Sequence, residues 1–297
     1  MKKILTLLTL LASGLLSLSA AERREIKISA RPESVTKGFD GHYYVTVMND
    51  NNISGDGTIQ KVVGDKVEQF ASGLDNPKGI VFIDGHLITA DMKKVWKVNA
   101  KGQKTVLAEE NDFPFPLGML NDVAIAPDGK AVIISDMGAN TKMRDPQGQL
   151  WPLDSPEAKA LPAIGRIYRV TLDGKVTVVV DANAQMPCPN GVTAPDKDTV
   201  LIGEFFTGNL ISVRDGQRKI LATGYRGADG IECDKDGNIY LSSVVAGKIW
   251  KLDSRGQNPA VFAEGFKSAA DFYLDADAKQ IVLPDLAAGT LNFLPLK

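Results

Sequence analysis

Short runs rich in β-branched and aromatic residues, mostly alternating apolar with polar, recur from one end of the chain to the other. Turn residues separate them, which predicts strands and no long helices. The runs fall into groups of four. The first group is predicted over Ser34–Gly38, His42–Met48, Thr58–Val63 and Lys66–Ala71, and the second over Gly79–Ile83, His86–Ala90, Val95–Val98 and Thr105–Ala108. The third covers Asp122–Ala126, Ala131–Ser135, Gly165–Thr171 and Val176–Asp181; the fourth covers Gly191–Ala194, Thr199–Gly203, Asn209–Arg214 and Lys219–Ala222. A fifth follows at Gly230–Cys233, Asn238–Val244, Lys248–Leu252 and Ala260–Ala263. The last has only Asp271–Leu274, Gln280–Leu283 and Thr290–Leu294 before the chain stops. Asp-Gly pairs at 40–41, 84–85, 128–129 and 236–237 mark the turn after the first strand of a group.

Repeats of about 40–45 residues made only of strands are the signature of a β-propeller, and six copies predict six blades. Blade six lacks its outer strand. The segment Glu25-Ile26-Lys27-Ile28-Ser29 precedes the first group and is predicted to supply it. Joining the two ends of the chain in one blade leaves no open edge in the ring.

Each group opens on one register position, held in turn by Glu33, Lys78, Asn121, Asn190, Asp229 and Ala270. In a propeller these positions face one central axis. Glu33, Asn121, Asn190 and Asp229 would then bring four side-chain oxygens together, a donor set for a hard cation. With almost no His or Cys among the candidates, Ca²⁺ or Mg²⁺ suits the residues themselves better than Zn²⁺ or Cu²⁺, and Ca²⁺ tolerates neutral amide ligands best. Lys78 and Ala270 share the register but cannot ligate a cation; Lys78 is read as a solvated side chain rather than a charge behind the ligands. Asp91, Asp136, Glu204 and Asp285 end second strands and either line the pocket or cap loops. Phe113, Phe115, Trp151, Phe205 and Phe206 are candidate apolar walls, with ordinary packing as the alternative. His42 and His86 follow Asp-Gly turns at the far end of the blades and are read as surface residues. No Gly-x-Ser-x-Gly elbow and no Ser–His–Asp set is evident.

One interval breaks the rhythm. Asn121 and Asn190 lie much farther apart than the other register residues, and the excess falls between Asp136 and Gly165. The topology puts this long loop on the same face as the register residues, where a functional or mobile loop is expected.

The start of the chain differs from the rest. Met1-Lys2-Lys3 is a basic leader, Ile4 to Leu18 is mostly apolar, and Ser17 to Ala21 offers small residues. This reads as a signal peptide over residues 1–20, leaving one propeller domain over residues 21–297 with no membrane span, secreted and periplasmic. A net charge of −2 gives no basic footprint for nucleic acid. Cys188 and Cys233 fall in adjacent blades and are read as two buried thiols, although the compartment would permit a disulfide.

The stretches Leu120-Asn-Asp-Val-Ala-Ile-Ala-Pro-Asp-Gly, Cys188-Pro-Asn-Gly-Val and Gly227-Ala-Asp-Gly-Ile resemble blade motifs of the senescence-marker-protein/gluconolactonase family, which is related to paraoxonases. The likeness runs from about Glu25 to Lys297 and implies a six-bladed propeller hydrolysing lactones with a divalent metal. The family's metal-binding Glu, the Asn of Pro-Asn-Gly and the Asp of Asp-Gly match Glu33, Asn190 and Asp229; its Asn-Asp motif, which contacts substrate or metal, matches Asn121. The resemblance thus implies Glu33, Asn121, Asn190 and Asp229 as metal residues, with Asp229 and Asn121 catalytic. It leaves Mg²⁺, Mn²⁺ or Zn²⁺ open beside Ca²⁺. Two positions depart from the pattern. Met119 stands where sugar-lactone members carry an Arg, and Glu33-Ser34-Val35 replaces Glu-Gly-Pro. The expected function is hydrolysis of a small-molecule lactone or related ester; the alternative is a non-catalytic propeller binding a ligand or protein through the same face.

Overall fold

In the computed structural model, which describes residues 23–50 and 53–296, six four-stranded antiparallel sheets are arranged as a β-propeller. Blade one is Pro32–Lys37, Tyr43–Val47, Gly57–Val63 and Lys66–Leu74, from the axis outward. Blades two to five repeat that order, beginning at Pro77, Leu120, Pro189 and Ala228. Proline opens three of these inner strands, a position where its missing N–H costs no ladder bond.

Closure follows the sequence expectation. Arg24–Lys27 pairs antiparallel with Thr290–Pro295 as the outer strand of blade six, Glu25 opposite Asn292 and Ile26 opposite Leu291. Ile26 is buried with Val282, Leu291 and Phe293 against Val35, Val45 and Val47 of blade one. The first strand is therefore fastened both by its ladder and by the core between the last and first blades.

Burial explains the polarity of the strands. Inner and second strands are sandwiched between neighbouring blades; Ala131–Asp136 and Ile239–Ser243 are buried throughout. Outer strands such as Lys104–Glu109 and Gln217–Ala222 are covered poorly and carry charged residues. An apolar slab fills each of the six gaps between adjacent blades, for example Ile59, Leu74, Ile80 and Leu87 between blades one and two. These slabs are the core, and burial of their apolar area holds the ring together.

Blade six departs from the expected pattern. Its inner strand is only Tyr273–Asp275, while Ala269 makes a lone bridge to Asp285. Pro284 sits in the partner strand and has no N–H for the ladder, so the stretch at Ala270-Asp271 is held by other bonds, Ala270 N donating to the Pro284 carbonyl and Asp271 N to the Glu33 carbonyl. The signal-peptide reading falls on residues outside those described. Among the described residues no helix is long and apolar enough to cross a membrane.

Candidate functional site

A bulge recurs at the start of five inner strands. The pairing steps from Pro32 to Val35, Pro77 to Ile80, Leu120 to Val123, Pro189 to Val192 and Ala228 to Ile231, with one extra residue on the inner strand each time. The register residue and its successor occupy the bulge. A bulge re-aims side chains, and here Glu33, Lys78, Asn121, Asn190 and Asp229 all line one axial cavity of about 770 Å³. In three blades a hydroxyl from the facing strand receives the unpaired bulge N–H: Thr46 from Ser34, Ser135 from Asp122 and Ser242 from Gly230. Thr46 and Ser242 also donate to the carbonyls of Lys78 and Ala270 in the next blade, locking neighbouring bulges to each other.

Glycine at the second bulge position has a steric cause. A Cβ on Gly191 would fall 1.8 Å from the Asp229 carbonyl oxygen, and one on Gly79 would fall 2.4 Å from the Val123 nitrogen. At Gly79 and Gly191 the neighbouring inner strand approaches too closely for any side chain, whereas Ser34 and Asp122 hold the same place in blades one and three.

Glu33, Asn121, Asn190 and Asp229 are all buried. Asn190 Nδ2 donates to Asp229 Oδ1 at 2.7 Å. Glu33 Oε2 and Asn190 Oδ1 are buried with no hydrogen-bond partner among the described residues. An unpaired buried acceptor is costly, and two on one axis beside a second carboxylate fit a hard cation held by oxygens. Among the described residues no three His, Cys, Asp or Glu side chains group as a cation site; the ring has two carboxylates and completes its donor set with amides, so such a grouping would not be met. Burial pushes the Glu33 carboxyl up to about 7, with the Lys78 ammonium pulling the other way. Asp229 is held well above the ordinary carboxylate range by burial, then by the charges of Glu33 and Asp271.

Lys78 corrects the sequence reading. It is 8% exposed, not solvated, and its Nζ donates to Met48 Sδ at 2.7 Å and lies 3.9 Å from Glu33 Oε1. Burial lowers its pKa, opposed by Glu33 and Asp229.

The four carboxylates left open by sequence cap loops, and none lines the axial cavity. Asp91 accepts from Asp75 N and Asn76 N, Asp136 from Gly118 N and Met119 N, Glu204 from Cys188 N, and Asp285 from Lys267 N and Ser268 N. Each thereby fixes the turn just before a register residue. Of the aromatic candidates, Phe205 lines the cavity. Phe113 packs in the slab between blades two and three, and Phe115 is exposed beneath the Arg166 guanidinium. Phe206 and Trp151 belong to an apolar cluster over blades three and four that also holds Met119, Met137 and Cys188. His42 and His86 are half-buried away from the cavity, and both cysteines are free thiols, Cys188 buried and Cys233 half-buried.

The long loop behaves as its position predicts: Met143, Arg144 and Gly148 reach the cavity. A second ring escaped the sequence analysis. The residue following the second strand of each blade lines the cavity, namely Met48, Met92, Met137, Phe205, Val244 and Leu286. One apolar residue per blade makes a collar. The signal lies in the repeat, since each collar residue directly follows the last residue of a buried strand.

The profile of the SMP-30/gluconolactonase/LRE-like region matches residues 75–265. The chain belongs to this family. No curated protein matches the sequence. Among solved structures, a gluconolactonase from Xanthomonas campestris superposes with a TM-score of 0.70 at 20% identity, covering 95% of this chain and 94% of that one. Regucalcin, a calcium-binding protein from Agrobacterium tumefaciens, follows at 0.68 and 20%, covering 91% of each. A virginiamycin B lyase from Staphylococcus aureus gives 0.60 at 15%, covering 93% and 99%. At these identities the likeness is one of fold, and a propeller by itself does not choose a chemistry.

The buried carboxyls predict an unusual pH response. Burial raises Glu33 and Glu204 to about 7, Glu232 to about 8 and Asp271 to about 6. The unfolded chain loses these protons near the ordinary carboxylate values, the folded one only above pH 6 to 8. Folded protein therefore holds more protons across that window, and stability falls as pH rises through it. Lys78, with its lowered pKa, works in the opposite sense but stands alone against the carboxyls. In chelator, thermal melting from pH 5.5 to 8.5 is expected to show Tm falling on the order of 5–10 °C; a Tm that rises over this interval would contradict the burial of these groups.

Proposed function

We propose that this protein hydrolyses a lactone or related ester at the axial cavity, with a divalent cation, Ca²⁺ first, held by Glu33, Asn121, Asn190 and Asp229. The observation that carries this reading is the pair of partnerless buried oxygens, Glu33 Oε2 and Asn190 Oδ1, in a ring that already contains Asp229. Membership of a gluconolactonase family supplies the reaction class. Regucalcin's description as calcium-binding supports the choice of ion.

A cation in this position supplies Lewis-acid polarisation of a substrate carbonyl. The chain's own groups do the rest. Asp229, a buried carboxylate of raised pKa oriented by Asn190 Nδ2, accepts a proton from the attacking water. The water oxygen bonds to the carbonyl carbon, the ester C–O bond breaks, and the alkoxide oxygen takes the proton back from Asp229, giving a hydroxy acid from a lactone. Asn121 aligns the substrate from blade three, and its Nδ2 is itself positioned on Met137 Sδ at 2.8 Å. The apolar collar excludes bulk water.

The segment Met1–Ala20 is read as a signal peptide and would deliver the propeller to the periplasm. One observation favours a second reading. Lys78 partly neutralises Glu33 without any added ion, as a binding protein with no cation would need. Hydrolysis of a panel of aliphatic and sugar lactones and aryl esters, with EDTA and after Ca²⁺ add-back, separates the two. Chelator-sensitive turnover of any of them is expected; none on the whole panel would leave the binding reading.

A further inference from the structure

The cavity walls carry more than a hydrolytic centre needs. Its charged lining consists of Glu33 and Asp229 against Arg31, Lys78 and Arg144, so cations outnumber carboxylates before any metal enters. Arg31 and Lys78 both line the cavity with Glu33, and the Lys78 ammonium lies 3.9 Å from Glu33 Oε1. Arg31 is held in the left-handed region at φ 62, unusual for a residue with a side chain. Strain of that kind persists where the surroundings impose it, and it concentrates at binding sites. The Arg31 carbonyl accepts from Met48 N, tying it to the collar, and Arg31 Nε is buried with no hydrogen-bond partner among the described residues. Among the described residues the Lys78 ammonium donates to a thioether, a weak acceptor. Two cationic side chains thus line one cavity with Glu33 and Asp229.

Above them the collar of Met48, Met92, Met137, Phe205, Val244 and Leu286 offers no hydrogen bond of consequence. A polyol such as a sugar lactone would bury its hydroxyls unpaired there. Methionine is adaptable and suits an apolar body of irregular shape.

We propose that the cavity selects substrates with an apolar body and one carboxylate, the carboxylate being received by Arg31 and Lys78 while the body lies in the collar. This rests on the hydrolase reading for its turnover test but not for its binding test. The turnover probe is a δ-lactone with an alkyl side chain ending in carboxylate, compared with the same lactone ending in a primary amide and with gluconolactone. The wild type is expected to favour the carboxylate over the amide at least ~10-fold in kcat/KM, mainly through KM, as for a charge-assisted contact. Gluconolactone is expected to be the poorest of the three. Arg31→Gln and Lys78→Met should each collapse the carboxylate-to-amide ratio, whereas Arg24→Gln, on the outer strand of blade six, should preserve it. The binding probe is calorimetric titration with hexanoate against hexanamide: tighter hexanoate binding is expected in the wild type and its loss in both variants. Turnover with no preference for the carboxylate overturns the proposal and leaves the hydrolase standing. Selective hexanoate binding with no turnover keeps the anion subsite and removes the hydrolase. The wild-type ratios decide the matter even where a variant fails to fold.

Discussion

Asp229→Asn is expected to lose about 10²-fold or more in turnover, and saturating Ca²⁺ is expected not to restore it. The substitution keeps an oxygen at the axis but removes a negative charge and the proton acceptor. Asn190→Ala is the informative contrast. It deletes a neutral oxygen, and with it the Nδ2 bond to Asp229 Oδ1, but leaves the carboxylate itself. Its defect should be one of cation affinity and should recede as Ca²⁺ is raised. Turnover against Ca²⁺ concentration for both variants, on the lactone the wild type handles best, distinguishes the roles. Full recovery of Asp229→Asn by calcium would reduce Asp229 to a ligand and leave water activation to another group.

Gly191→Ala is expected to damage both stability and activity, although it adds a single methyl group away from solvent. The Cβ would sit 1.8 Å from the Asp229 carbonyl oxygen and 3.0 Å from its carbon, so backbone has to move. Overpacking of this sort costs about 1–3 kcal/mol. The strand that moves carries Asp229, and a displacement of about an ångström at a reacting group can cost ~10²-fold in rate. Gly203→Ala is the control. A Cβ there meets Leu241 Cδ1 at 3.2 Å and Ala228 Cβ at 3.3 Å, the first of them the end of a flexible side chain. Tm and kcat/KM should drop sharply for Gly191→Ala and little for Gly203→Ala. Wild-type values for Gly191→Ala would mean that the inner strands are not packed so closely.

The collar and the ring divide the work by chemistry. The bulges send oxygens toward the axis, while the next residue after each second strand sends an apolar side chain over them. A propeller places the same element six times around one axis, so a change at one register position alters one side of the cavity and leaves the scaffold alone. Met119 illustrates this. It follows Gly118, whose N–H with its own is held by Asp136, and it lines the cavity with a thioether where sugar-lactone relatives are expected to carry a guanidinium.

The repeats, the turn positions and the four oxygen-bearing register residues were legible in the amino-acid sequence because they depend on local rules. Strand alternation and Asp-Gly turns act over a few residues, and their recurrence at a near-constant spacing indicates which positions are equivalent. Closure was legible for the same reason: blade six lacked a strand and Glu25–Ser29 had the right character to supply it. The burial of Lys78 was not legible. An ammonium is normally solvated, since its burial is costly, and the carboxylates that make it tolerable, Glu33 and Asp229, come from other blades. The collar was hidden because Met92 and Met137 lie just past their strands, where alternation no longer assigns a face, and Met48 falls at the very end of its predicted run, the strand itself stopping at Val47. The loop-capping carboxylates could not be told from pocket residues, since Asp136 meets Gly118 and Met119 only across the folded blade. Local sequence patterning therefore determined which residues occupy the register, and ring closure alone decided which of them share a cavity, with what charge and under what walls.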